Sequence, residues 1–169
     1  MKTIIDAIKM CEDKIKIHQN DTKNIEIAIG KKTEFVIINA SNDEGNARYI
    51  KGKIKEGEKA GLKVEVVKLE EQCNNEDVLN IINRCNEEKI PVILQLPTFK
   101  HLDTKKLMES INYDVDADGF AREWIGEINL GNDKKLAPAT PKGVISLLEQ
   151  YNVDIEGKIA LLGTSATGL

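Results

Sequence analysis

Aromatic side chains make up only 4% of this chain, so aliphatic residues must fill its core. Cysteine is sparse: Cys11, Cys73 and Cys85 stand far apart, in odd number and with no CxxC pair. That spacing argues against a disulfide framework and against a structural zinc site, and no metal is expected. No apolar run is long enough to span a bilayer. The opening segment MKTIIDAIKMCEDK is amphipathic, carries acidic residues and lacks the apolar stretch of a signal peptide. A cytoplasmic location without a membrane partner is the expectation. Positive charge is not in excess either, with 24 Lys and Arg against 28 Asp and Glu for a net charge of −4. Nucleic acid is therefore not an expected partner. No internal repeat and no low-complexity tract occurs.

What is present is a soluble-protein composition, 41% hydrophobic and 31% charged over 169 residues, enough for one ordinary domain. Residues 2–17 read as an amphipathic helix, and Ile25, Ile27 and Ile29 alternate as a short strand would. Residues 34–40 (EFVIINA), 62–68 (LKVEVVK), 91–96 (PVILQL) and 158–162 (KIALL) read as strands. Helices are predicted over 44–60, ended by Gly61, over 75–89, capped by Asn75, and over 103–112, capped by Asp103. Residues 113–140 read mostly as loop, and Pro141 opens a further helix with Thr140 as its cap. Alternating apolar strands and helices predict an α/β fold, a three-layer αβα domain on a mainly parallel sheet. The closing segment, from Gly157 to Leu169, reads as the first strand and glycine turn of a dinucleotide-binding unit. A lone strand and turn cannot bury itself. The expected division is a domain over 1–140, then a linker helix and the incomplete start of a second domain over 141–169.

The residues that could carry chemistry are few. Tyr49 and Lys53 are spaced to share one helix face, a turn apart. A phenol beside an amine can serve proton transfer, although most such pairs only decorate a surface. Gln95 and Pro97 close the third strand, where ligand sites of parallel sheets open. Asp114, Asp116 and Asp118 precede Gly119 in the manner of a calcium loop, but the twelfth position is Ile125, where a bidentate Glu is needed. A single carboxylate aimed at ring N–H or amidine donors is the better use. The Tyr-x-x-x-Lys spacing also occurs in short-chain dehydrogenases. That family needs its glycine-rich turn before the pair, and here the turn follows it.

Taken in order, FVIINAS, Tyr49-x-x-x-Lys53, ILQLP, DADGF, PATPKG and GTS resemble the motifs of bifunctional methylenetetrahydrofolate dehydrogenase/methenyltetrahydrofolate cyclohydrolases. The resemblance spans nearly the whole chain. It implies one-carbon folate chemistry in a cleft between a catalytic domain and a Rossmann domain that binds NADP or NAD. Carried over by position, Lys53 is implied as general acid/base and Tyr49 as the ring that stacks on folate and places Lys53. Gln95 is implied to hold Lys53's proton state, Asp118 to bind the pterin edge, and Pro97 to line the substrate. Gly163, Thr164 and Ser165 are implied to face the cofactor. The implied partner is a folate-type small molecule, with a homodimer as the assembly the family allows.

Departures from the family pattern are specific. Asn46 stands where the family has Ser, Thr98 and Phe99 follow Pro97, Ala139 replaces a Cys, and Thr164 replaces an Arg. The turn Gly163-x-Ser165-x-x-Gly168 is one residue short. The acid/base residues are kept and the cofactor side is degraded, so hydrolysis is expected to outlast hydride transfer and the dehydrogenase half is expected to be lost. The rival expectation is a non-catalytic folate-binding or assembly module of the same ancestry.

Overall fold

The computed structural model describes residues 6–132 and 137–159. Its elements in chain order are α1 (Ala7–Ile29), β1 (Glu34–Asn39), α2 (Glu44–Lys59), β2 (Lys63–Lys68), α3 (Asn75–Glu88), β3 (Val92–Leu94), α4 (Thr104–Glu109), α5 (Arg122–Asn129) and α6 (Ala139–Gln150). The three strands form one parallel sheet in the order β2-β1-β3. Ile37 of β1 sits opposite Val66 on one side and Ile93 on the other. Residues 115–117 run parallel beside β3: Val92 N–H donates to Val115 O at 2.8 Å, and Ala117 N–H to Val92 O at 3.2 Å.

Strand alternation divides the core into two faces. Val36, Ile38, Val92 and Leu94 point toward α3 and α4 and pack with Val78, Ile82, Cys85 and Leu107. Ile37 and Ile93 point the other way, onto Ile50 and Ile54 of α2. Helices cover both faces of a parallel sheet, which is the three-layer αβα architecture. The helix after β1 covers one face and the helix after β3 the other. That arrangement makes the carboxyl ends of β1 and β3 a topological switch point, where ligand crevices of such sheets open.

Several element boundaries differ from the sequence reading. The first helix is continuous from Ala7 to Ile29 and ends at Gly30, φ +69°. Ile25, Ile27 and Ile29 are therefore helical, and Ile27 is 81% exposed. Their alternation finds no neighbouring strand among the described residues to satisfy an extended backbone, and hydrogen bonds within the helix satisfy it instead. The cap of α3 is Asn74, not Asn75; it forms a capping box with Asp77. Asn75 accepts a hydrogen bond from Asp103 N–H at 2.9 Å, tying α3 to the start of α4. The loop expected over 113–140 contains α5, a short helix with no side-chain cap. The last helix starts at Ala139, two residues before Pro141, and Pro138 rather than Thr140 is its cap position. Of the strand expected over 158–162, Lys158 and Ile159 are in no strand and the rest lies outside the described residues.

Candidate active site

The inward stripe of α2 carries Asn46, Ile50 and Lys53, at the i, i+4, i+7 spacing of one helix face. Ile50 is 6% exposed and anchors the helix on Ile37 and Ile93. Asp43 caps the helix, its carboxylate accepting Asn46 N–H at 2.9 Å. Asn46 is 2% exposed, and its side-chain amide donates to Pro97 O at 3.0 Å. That bond fastens α2 to the loop after β3. The same loop turns back over the sheet, where Phe99 N–H donates to Ala40 O at 2.7 Å.

Lys53 then meets the chain from the opposite side. Its Nζ lies 3.7 Å from Asp118 Oδ1, with side chains 33% and 28% exposed. Burial pushes the Asp118 carboxyl above the usual carboxylate range, against the downward pull of the Lys53 charge and with a further upward push from Asp116. Tyr49 stands one turn before Lys53, 70% exposed. Together with Arg48, Gly52 and Glu56 they line a shallow cleft. On its other side Asp118 lines a cavity of about 830 Å³ with Tyr113, Phe120 and Met108. Trp124 does not cover Lys53; its indole N–H donates to Tyr113 O at 2.7 Å and its ring packs edge-on against Tyr113.

Gln95 follows β3, and its backbone N–H continues the ladder to Ile38 O at 2.9 Å. Its side-chain amide donates to Leu96 O at 3.1 Å. The side-chain oxygen is buried with no hydrogen-bond partner. Pro97 is joined to Leu96 by a cis peptide bond and is exposed. The structure thus brings Lys53 to Asp118, with Tyr49 on the cleft rim, and sets Gln95 and Pro97 on the segment that follows β3. Gly163, Thr164 and Ser165 lie outside the described residues.

The three neighbouring aspartates do three separate jobs. Asp114 pairs with Lys89 at 2.6 Å, and Asp118 faces Lys53. Asp116 is 7% exposed. Its Oδ1 accepts the backbone N–H groups of Asp118 and Gly119, each at 3.1 Å, and its Oδ2 accepts Ala121 N–H at 2.7 Å. Sequence reasoning did not give Asp116 this role. The signal was there: an Asp three residues before a glycine is a common side-chain-bonded turn. Gly119 itself has φ +76°, and a Cβ on it would lie 3.1 Å from Ala137 C and Pro138 N. Only glycine suits both the conformation and the approach. No group of three or more His, Cys, Asp or Glu among the described residues is placed to hold a metal ion. Burial pushes the Cys73 and Cys85 thiols up, which suits core packing rather than nucleophilic chemistry.

The catalytic-domain model of the tetrahydrofolate dehydrogenase/cyclohydrolase family matches residues 5–118. The bifunctional protein FolD of Listeria innocua is 30% identical over 166 residues, covering 96% of this chain and 57% of that protein. A crystal structure of the bifunctional FolD enzyme, methylenetetrahydrofolate dehydrogenase/cyclohydrolase, from Campylobacter jejuni superposes with a TM-score of 0.85 at 28% identity, over 92% of this chain and 56% of that one. The Trypanosoma brucei enzyme, solved with NADP and an inhibitor, shares the fold at a TM-score of 0.84 and 22% identity, over 92% of this chain and 54% of its own. The chain spans about half the length of the curated relatives it matches. No helix among the described residues is long and apolar enough to cross a membrane.

Proposed function

Because the chain belongs to the tetrahydrofolate dehydrogenase/cyclohydrolase family, we propose that it binds a folate-type substrate between Tyr49 and Asp118 and hydrolyses its methenyl bridge with Lys53 as general acid/base. The observation that carries this reading is the approach of Lys53 Nζ to Asp118 Oδ1, 3.7 Å, beside the switch-point crevice of the sheet. Among the residues the family resemblance assigns, these two come from elements far apart in sequence and meet where a ligand has access. Such a convergence of amine and carboxylate is what acid/base work on a bound heterocycle requires.

The step follows from the chemistry of the bridge. Water attacks the amidinium carbon, forming a C–O bond, and its proton passes to the Lys53 amine. The tetrahedral adduct then breaks one C–N bond: Lys53 returns the proton to the departing nitrogen, while the adduct's hydroxyl releases its own proton to solvent and becomes the formyl C=O. Asp118, a carboxylate with two acceptor oxygens, suits adjacent ring N–H donors. The exposed Tyr49 ring offers a stacking face. The family resemblance gives Gln95 the role of orienting the amine. The resemblance gives Pro97 the role of lining the substrate. Hydride transfer draws on nicotinamide when NADP or NAD is bound, and the resemblance gives that role to Gly163, Thr164 and Ser165. Hydrolysis uses none of them. The same reading keeps the reaction in the cytoplasm and allows a homodimer.

Titration of the chain with a folate analogue tests the binding half, with a thermal shift and a heat signal expected at millimolar ligand; neither appearing sinks it. Lys53→Met is expected to abolish hydrolysis while leaving analogue affinity within a few-fold. Unchanged turnover would remove Lys53 from the role. The rival reading, a non-catalytic folate-binding or assembly module, draws on Asn46, which stands at the family's Ser position and is committed to a structural bond with Pro97 O. Binding without any turnover would favour it.

A further inference from the structure

Asn39 ends β1, directly across from Gln95 at the end of β3. The register places Ile38 opposite Leu94, so the next pair in the ladder is Asn39 and Gln95. Alternation puts both side chains on the face of Ile37 and Ile93, the face that α2 covers. Asn39 is 8% exposed, and its side-chain oxygen has no hydrogen-bond partner; neither has that of Gln95. Two residues that are neighbours in register on one face therefore each bury a side-chain oxygen without a donor. Such a pair is costly unless a donor reaches it.

The donors nearby are mostly committed. The Asn46 amide donates to Pro97 O and the Gln95 amide to Leu96 O. Lys53 carries three N–H donors, and its contact with Asp118 at 3.7 Å is longer than a hydrogen bond. Helical side chains lean toward the helix N-terminus. For Lys53 that direction is toward Asn46 and the carboxyl ends of the strands.

We propose that Asn39 is a positioning residue: its side-chain oxygen, paired with that of Gln95, receives the Lys53 ammonium when Asp118 turns from Lys53 to the substrate. This deepens the reading of Lys53 and Asp118 given above and rests on it. During hydrolysis Asp118 exchanges its lysine for ring N–H donors. The amide pair then keeps the ammonium solvated and aimed at the bridge while it holds the proton taken from water.

The test is an unfolding comparison in two backgrounds, which needs neither ligand nor turnover. In the wild-type background Asn39→Leu leaves stability unchanged or raises it, because it removes a buried oxygen that has no donor. In the Asp118→Asn background Lys53 is released onto the amide pair. There Asn39→Leu raises the unfolding equilibrium constant about tenfold. The same effect in both backgrounds would overturn the proposal. Asn39→Asp gives a second readout in the Asp118→Asn background: stability rises if Lys53 reaches the new carboxylate. Stability falls if that charge is buried alone, which refutes the idea. In turnover, Asn39→Leu lowers kcat about tenfold at unchanged KM; a raised KM at unchanged kcat would place Asn39 on the substrate instead and overturn the assignment. Should the chain bind no folate, the proposed function fails, while the unfolding comparison still decides the role of Asn39.

Discussion

Replacing Asp116 by alanine removes the carboxylate that holds the Asp118 loop. That carboxylate accepts three backbone N–H groups at 3.1, 3.1 and 2.7 Å from a side chain that is 7% exposed. A hydrogen bond to a charged group contributes about 1.5–3 kcal/mol, and a buried N–H left without acceptor costs about 1–3 kcal/mol. Gly119 N–H is buried, whereas the Asp118 and Ala121 groups are only partly so and can turn to water. The loss is therefore nearer to one buried and two partly rehydrated groups, about 3 kcal/mol. Urea unfolding at neutral pH measures it as a shift in midpoint at constant slope. Asp116→Asn keeps one oxygen for Asp118 and Gly119 but turns an NH₂ group toward Ala121 N–H or leaves that group unpaired. Its expected cost is about half that of the alanine variant. Both variants loosen the loop that presents Asp118 to Lys53, so folate-analogue affinity falls with stability. A loss below about 1 kcal/mol for Asp116→Ala would refute the claim that this carboxylate organises the site.

Gly119→Ala is expected to cost about 2 kcal/mol or more in the same assay, since φ is +76° and a Cβ would sit 3.1 Å from the backbone of Ala137 and Pro138. Ile37→Ala, at a position with 0% exposure in the middle of the sheet, is expected to cost about 2–5 kcal/mol by cavity formation. The pH dependence of stability has a definite sign at Asp118. Its carboxyl is raised in the folded chain, so the protonated form favours folding at low pH. That contribution is present below the unfolded value near pH 4 and is lost as pH rises through the higher folded value. Asp118→Asn cannot ionise, so its stability relative to wild type rises across that window; a difference that is flat or falling with pH would contradict the assignment.

Much of the frame can be read directly from local pattern. Val36, Ile37 and Ile38 are apolar on both sides because β1 is the central strand of a covered parallel sheet, and an uninterrupted apolar run is how such a strand reads. Gly61, through its backbone freedom, and Asp103, through its side chain, mark a helix stop and a helix start, so α2 and α4 were legible. Ile25, Ile27 and Ile29 were misread because alternation is a promise of pairing, and among the described residues no strand lies beside them to accept it. Helix α5 was missed because Arg122–Asn129 has Gly126 inside it and no side-chain cap at its start.

The site divides along the same line. The types and order of the motifs around Tyr49, Lys53, Gln95 and Asp118 were enough to indicate the tetrahydrofolate dehydrogenase/cyclohydrolase family, since those motifs are local in sequence. Their amino-acid identities carried no distances. Asp114, Asp116 and Asp118 look alike in the chain, and it is the parallel pairing of residues 115–117 beside β3 that gives one to Lys89, one to the loop backbone and one to Lys53. Asn39 shows the limit most clearly. As text it is a polar residue at a strand end; only the register with Gln95 and the cover of α2 make its oxygen a buried acceptor in need of a donor. Local propensity and motif order set the elements and the family, while burial and register, which depend on residues far away in sequence, set each polar group's partner.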